Sequence, residues 1–295
     1  MSNTRSREPE FDELLDELFF RGETRVSNPY LEYTIYKLLQ EFDLKYMSKT
    51  RFYKILYLIY KNLKNKGLDI KLPYFWYEHG PVVDLYALPT AVEFYHDGVK
   101  NIPLIVPKPQ TEIEYDAKKM IDETISLIKS KYEKKDTEFL IDEVYEYAPL
   151  RVQSYFRKLL KQGLQGNKET INMLLTDISR EFPKKEYGDL YPILLRIIPL
   201  VRHGIKNGVE LDELEDLVKI FWKTFCQKLS LNHNENLPNG LFRMPEMYEE
   251  SLTFLKQKLK DVERSILSSL ESKYELFNPL FEKHLEDFLK SRAYI

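Results

Sequence analysis

Five histidines, at positions 79, 96, 203, 233 and 284, are the first residues to test for chemistry, and none falls in an H-x-x-x-H or H-E-x-x-H pair. With a single cysteine, Cys226, a structural zinc site would need ligands gathered from distant segments, so no metal is expected. The 10 glycines are too sparse for a G-x-G-x-x-G turn or a phosphate loop, and neither motif occurs. No G-x-S-x-G elbow is present, and Cys226 in FWKTFCQKL has no evident His or Asn companion. That apolar helical setting reads as a buried structural thiol and, with no second cysteine, fits a reducing compartment. Carboxylates crowd ELDELEDLVK at Glu210, Asp212, Glu213, Glu215 and Asp216. A capped helix start explains them, because acids there favour the helix dipole. No catalytic residue, cofactor or metal ligand is therefore expected.

Residue types suited to binding do stand out. Trp76 and Tyr77, on a short aromatic strand, and His79, before a Gly-Pro corner, are candidate partner-binding residues. Lys45, Lys49, Arg51 and Lys54 flank the start of one helix, and Lys61, Lys64, Lys66 and Lys71 flank its end. A helix N-terminus with basic neighbours suits phosphate, which makes Lys49, Arg51 and Lys54 candidate nucleic-acid contacts. A net charge of −3 over 295 residues gives no basic field to reinforce them.

The elements that must position these residues are mostly helical. With 43% hydrophobic and 31% charged residues, the chain lies in the range of soluble globular proteins and is long enough for one large or two modest domains. Acidic residues alternate with Phe11, Leu14, Leu15, Leu18 and Phe19 from Glu8 to Phe20, which predicts an amphipathic acidic helix. Ser27-Asn28-Pro29 opens a second helix running to about Asp43. Ser48 caps a third, in which Phe52, Ile55, Leu56, Ile59, Tyr60 and Leu63 recur at helical spacing, and Gly67 ends it. LPYFWY then reads as a strand broken by Gly80-Pro81; Asp84 to His96 reads as helix interrupted near Pro89, and Asn101 to Pro107 as an edge strand. Helices are expected over 115–132 and 138–147. Further helices follow at about 151–163, 168–181, 189–206, 210–231, 245–272 and 275–291, with a polar loop over Asn232 to Gly240. The most apolar run, YPILLRIIPLV, is too short to span a membrane and contains Arg196. The start, MSNTRSREPEF, lacks the apolar core of a secretory signal, so a cytoplasmic protein is expected.

The motif K-x-L-Y at Lys54, Leu56 and Tyr57, then G-x-x-I from Gly67, then P-x-F-W-Y-x-x-G-P-V from Pro73 resembles the SocA-like or Panacea antitoxin domain, also described as phage-associated GepA-like. Tyr77, Gly80, Pro81 and Val82 fall on its strand-end motif, and IDETISLIKSKY followed by DTEFLIDEVYEYAP is similar to its later helix pair. His79 stands where that pattern has tyrosine, and Val144 and Tyr145 where it has Thr-His. The resemblance covers about residues 49–150 and implies a compact, mostly helical module with a small β element that works through protein contact in toxin neutralisation, phage defence or regulation.

The expected architecture is thus mainly α, with a small two-stranded, winged-helix-like β element in the N-terminal half and a helical C-terminal half. Its segments are N-terminal helices over 1–48, the antitoxin-like module over 49–150 and a helical region over 151–295. The expected function is a non-catalytic subunit of an anti-phage defence or toxin–antitoxin system that binds a partner protein. The alternative is a winged-helix DNA-binding regulator or an accessory subunit of a DNA-sensing complex, and a third class is an enzyme of unrecognised type, such as a nuclease.

Overall fold

Asn28 accepts hydrogen bonds at its side-chain oxygen from the amides of Tyr30 and Leu31, and Pro29 follows it, so the chain enters a helix at once. This is α1, Pro29–Glu41. Its capping amide also donates to Ile70 O at 3.0 Å, which ties the helix start to the segment after the next helix. A 3₁₀ turn, Leu44–Tyr46, leads to Ser48, whose Oγ accepts from Arg51 N and starts α2, Lys49–Asn65. Gly67, at φ +92°, stops α2 in a left-handed conformation. The computed structural model describes residues 25, 27–96, 101–103, 108–109, 111–208, 210–238, 240–241 and 243–274. The acidic helix expected over Glu8 to Phe20 and the helix expected over 275–291 lie outside these residues.

Two compact units divide the chain: Met1–Ser154 with Lys223–Glu250, and Tyr155–Trp222 with Ser251–Ile295. The first unit is built round α2. Every residue from Arg51 to Tyr60 is buried, and so is Leu63. Around α2 lie α3, Tyr115–Tyr132; α4, Thr137–Tyr145; and a hairpin of β1, Tyr74–Tyr77, and β2, Gly80–Val83. β1 and β2 pair antiparallel from Tyr74↔Val83 to Tyr77↔Gly80, leaving Glu78 and His79 as a two-residue loop. A third strand, β5, Asn234–Glu235, adds to the other edge of β1, giving the order β2-β1-β5. β3, Phe94–His96, and β4, Asn101–Pro103, form a separate two-stranded sheet.

The chain is mainly helical with a small β element, as expected, but the β pairing differs. The strand predicted at 72–77 and residues 101–103 of the one predicted at 101–107 belong to different sheets, residues 104–107 lying outside the described residues, and the corner at Gly80-Pro81 opens β2 rather than ending the sheet. Pro81 is accommodated because β2 is an edge strand. The helix expected from Asp84 to His96 is absent: bends follow β2, and β3 takes residues 94–96. Asp84 Oδ1 accepts from the amides of Tyr86 and Ala87 as a helix cap would, but Pro89 lacks a donor and disfavours helical backbone at the residue before it, so no helix propagates.

The second unit contains most of α5, Arg151–Gln162; α6, Lys168–Glu181; α7, Tyr191–Asn207; the first half of α8, Leu211–Asn232; and much of α9, Met244–Tyr274. Phe156 stacks on Phe221 at 5.6 Å and lies 5.3 Å from Trp222, while Phe182 meets Tyr187 edge-on at 6.1 Å. Phe221 and Trp222 are core residues, as their helical setting suggests. Across α7 and α9, Arg196 Nε and Nη2 donate to the two carboxylate oxygens of Glu263 at 3.0 and 2.6 Å. Glu263 is 7% exposed, so this pair is worth more in its loss than in its presence. Arg196→Ala is expected to lower unfolding free energy by about 2–4 kcal/mol, and Arg196→Lys to recover less than half of it, in urea titrations. A change below about 0.5 kcal/mol would show that the pair does not anchor the unit.

Candidate functional site

The six residues singled out for binding converge on the first unit, but most of them face inward. Arg51 is 5% exposed, and its guanidinium donates to three carbonyls at the end of α3: Tyr132 O at 2.7 Å, Glu133 O at 2.9 Å and Lys135 O. Those of Tyr132 and Glu133 are among the carbonyls that a helix C-terminus leaves without intrahelical donors, although Tyr132 O also accepts from Lys135 N at 3.0 Å; Lys135 lies in the turn that follows. Lys54 is 1% exposed and donates to Pro81 O at 2.9 Å, joining α2 to β2. Neither cation is therefore presented to a phosphate, which corrects the nucleic-acid assignment of Arg51 and Lys54. Of the three basic residues only Lys49, half-buried in the first turn of α2, stays near the surface.

Trp76 and Tyr77 are likewise core. Trp76 is 2% exposed and meets Tyr57 and Tyr145 edge-on, each at 5.8 Å. Tyr77 is fully buried, and burial first, with Glu78 nearby, pushes its phenol far up. Only His79 of the three partner candidates reaches the surface, half-buried in the β1–β2 loop with Glu78. The next residue explains the tightness of this corner. Gly80 has φ +91°, and a Cβ there would come within 2.9 Å of Val144 Cγ2. Only glycine meets both demands.

The corner is fixed from the side of α4. Tyr145 OH donates to Glu78 O at 2.7 Å, and two residues on, Tyr147 is 39% exposed, with Lys61 Nζ 5.8 Å from its ring centroid. Glu146 beside it is exposed. The Tyr145 bond thus ties the corner of Glu78 and His79 to the end of α4, and the two residues that follow α4, Glu146 and Tyr147, are exposed, with Lys61 near the Tyr147 ring. Tyr147 was not singled out from the sequence, and Tyr145 was named only as a departure from the antitoxin-like pattern. Their only signal is the paired tyrosines of YEYAP, at the end of a helix whose stripe does not include Tyr147.

Electrostatics elsewhere in the unit favours holding protons in place. Burial opposes ionisation of Glu235, but hydrogen bonds from Tyr60, Lys64 and Tyr74 outweigh it and hold the carboxyl below its ordinary range. Burial first, then the carboxylate, pushes Tyr60 well up; burial, then Tyr57 and Glu235, does the same for Tyr74. Such groups are moved away from neutrality, unlike an acid–base pair poised to exchange a proton near pH 7. The Cys226 thiol, fully buried, is pushed well above its ordinary value by burial first and Glu78 second. Among the described residues no group of three or more His, Cys, Asp or Glu side chains could hold a metal ion, and no helix is long and apolar enough to cross a membrane.

Comparison with known proteins returns no match: no family model fits the chain, and no curated protein or solved structure is significantly similar to it.

One carboxyl lies closer to neutrality. Burial pushes Asp84 up to about 6, against the lowering effect of the Ala87 and Tyr86 amides. The folded protein then binds this proton more tightly than the unfolded chain, so Asp84 favours folding below about pH 4, and that contribution is lost as pH rises through about 6. Asp84→Asn keeps the acceptor oxygen and removes the titration. The stability of the variant relative to the parent is expected to rise by about 2–3 kcal/mol between pH 4 and pH 7 in urea titrations. A difference that stays flat with pH would contradict the assignment.

Proposed function

We propose that this chain is a non-catalytic subunit that acts in the cytoplasm by binding a partner protein, within a prokaryotic anti-phage defence or toxin–antitoxin system. The observation that carries this reading is the corner Glu78–His79 beside the end of α4, where Tyr147 and Lys61 are offered on a scaffold of buried aromatic rings. Aromatic side chains held rigidly next to charged neighbours lose little entropy on contact and commonly dominate protein interfaces. The resemblance of residues 49–150 to the SocA-like antitoxin domain supplies the class of partner: a toxin, or another subunit of a defence complex. The inward direction of Arg51 and Lys54 removes two of the three contacts on which the DNA-binding alternative depended.

Size-exclusion chromatography with mass detection, on the chain co-expressed with its genomic neighbours, tests the reading. A stoichiometric complex is expected. His79→Ala combined with Tyr147→Ala should weaken it at least tenfold while leaving the unfolding midpoint within a few degrees of the parent. A chain that elutes alone, or a complex indifferent to both substitutions, would overturn the assignment. DNA binding that falls steeply with salt would point to the alternative instead.

A further inference from the structure

The outer edge of β1 is covered by very little. Between Ser230 and Leu241 none of the described residues is fully buried, and the apolar ones, Leu231 and Leu237, are only half-buried. Its attachment is polar. His233 O accepts from Trp76 N at 3.3 Å, Asn234 and Glu235 pair with Phe75 and Tyr74, and Asn236 Nδ2 donates to Leu72 O at 3.0 Å. Asn236 itself has φ +56°, an uncommon conformation for a residue with a side chain. At each end the chain is held firmly. Ser230 Oγ donates to Trp76 O at 2.6 Å, and Leu241 is 7% exposed.

Within the stretch, one side chain gathers most of the bonding. Glu235 Oε2 accepts from Tyr60 OH at 2.6 Å and Lys64 Nζ at 3.1 Å, and Oε1 accepts from Tyr74 OH at 3.0 Å. Lys64 Nζ also donates to Tyr60 OH at 2.6 Å. Tyr60 and Tyr74 are 0% and 4% exposed, whereas the Glu235 side chain is 44% exposed. A partly solvated carboxylate is thus the acceptor for two phenols whose rings belong to the core. Hydrogen bonds to an ionised acceptor are roughly twice as strong as neutral ones, so this single group outweighs the short backbone ladder beside it.

We propose that residues 233–236 are a releasable strap over the edge of β1, with Glu235 as its latch. Lifting the strap exposes backbone N–H and C=O groups along one side of Tyr74 to Trp76, an edge on which an extended strand can pair. Helix α2 and the β1–β2 pairing remain, because neither uses the strap for its burial. The device is a local opening whose free energy lies below that of global unfolding. It does not depend on the partner-binding role proposed above.

Hydrogen exchange read by mass spectrometry on the full chain tests it. Glu235→Gln presents one acceptor and one donor where three donors converge, and it should speed exchange at least tenfold in peptides covering 72–77 and 231–241. Peptides from α2 and α3 should stay within about twofold of the parent, since fraying of the strap leaves their bonds intact. Lys64→Met, at an exposed position, should accelerate the same two peptides by a smaller factor. Unchanged rates at 72–77 and 231–241, or equal acceleration throughout α2 and α3, would overturn the latch.

Discussion

Helix α2 is enclosed on every side from Arg51 to Tyr60, and two of the enclosed residues are cations. Burying a charge in low dielectric is unfavourable unless polar partners replace its water. Main-chain carbonyls supply that replacement here, from two directions. Arg51 reaches two carbonyls at the end of α3 and a third in the turn just past it, and Lys54 reaches Pro81 O on β2. These bonds serve both sides, because carbonyls at a helix end and on an edge strand also call for donors. Burial pushes the ionisation of Arg51 down while Asp136 and Glu133 draw it back up, and guanidinium remains charged in proteins under all ordinary conditions. The two cations therefore lock the orientation of α2 against α3 and the hairpin. The rest of the unit follows from that lock. Tyr57 can then meet Tyr74 and Trp76 edge-on, Val144 can approach Gly80, and Tyr145 can reach the hairpin loop.

Much of this fold was legible in the sequence because local signals agreed with the final packing. Asn28-Pro29, Ser48 and Gly67 mark helix ends by chemistry that acts within four residues, and α1 and α2 begin and end close to those marks. Where packing decides, the reading thinned. The apolar stripe of α2 pointed to one buried face, but Tyr53, Lys54 and Tyr57 lie off that stripe and are buried too. A lysine or arginine in a helix reads as solvated unless its distant acceptor is known, and the acceptors of Arg51 lie more than eighty positions away. The β5 strand could not be read at all: two polar residues in NHNENLPNG have no strand period, and only the edge of β1 makes them one.

The surface proposed for binding was legible in part for the same reason. His79 stands out locally, before a Gly-Pro pair whose positive φ forces a corner, and it does reach the surface. Trp76 and Tyr77 drew attention by residue type, yet a strand lying between α8, α4 and α2 turns both inward. Tyr147 became visible only when the bond from Tyr145 to Glu78 O brought the end of α4 to the corner. The shape of this surface depends on rigidity beneath it, so buried residues, Arg51 and Lys54 among them, govern it.

The most direct measurement is the unfolding free energy of Arg51→Lys in urea. Lysine keeps the charge but lacks the planar fork that serves three carbonyls at once. A loss of about 2–3 kcal/mol is expected, because at least two helix-end carbonyls lose a charged donor in a buried setting. Stability within about 0.5 kcal/mol of the parent would contradict the account, showing that charge alone suffices and that the lock between α2 and α3 lies elsewhere.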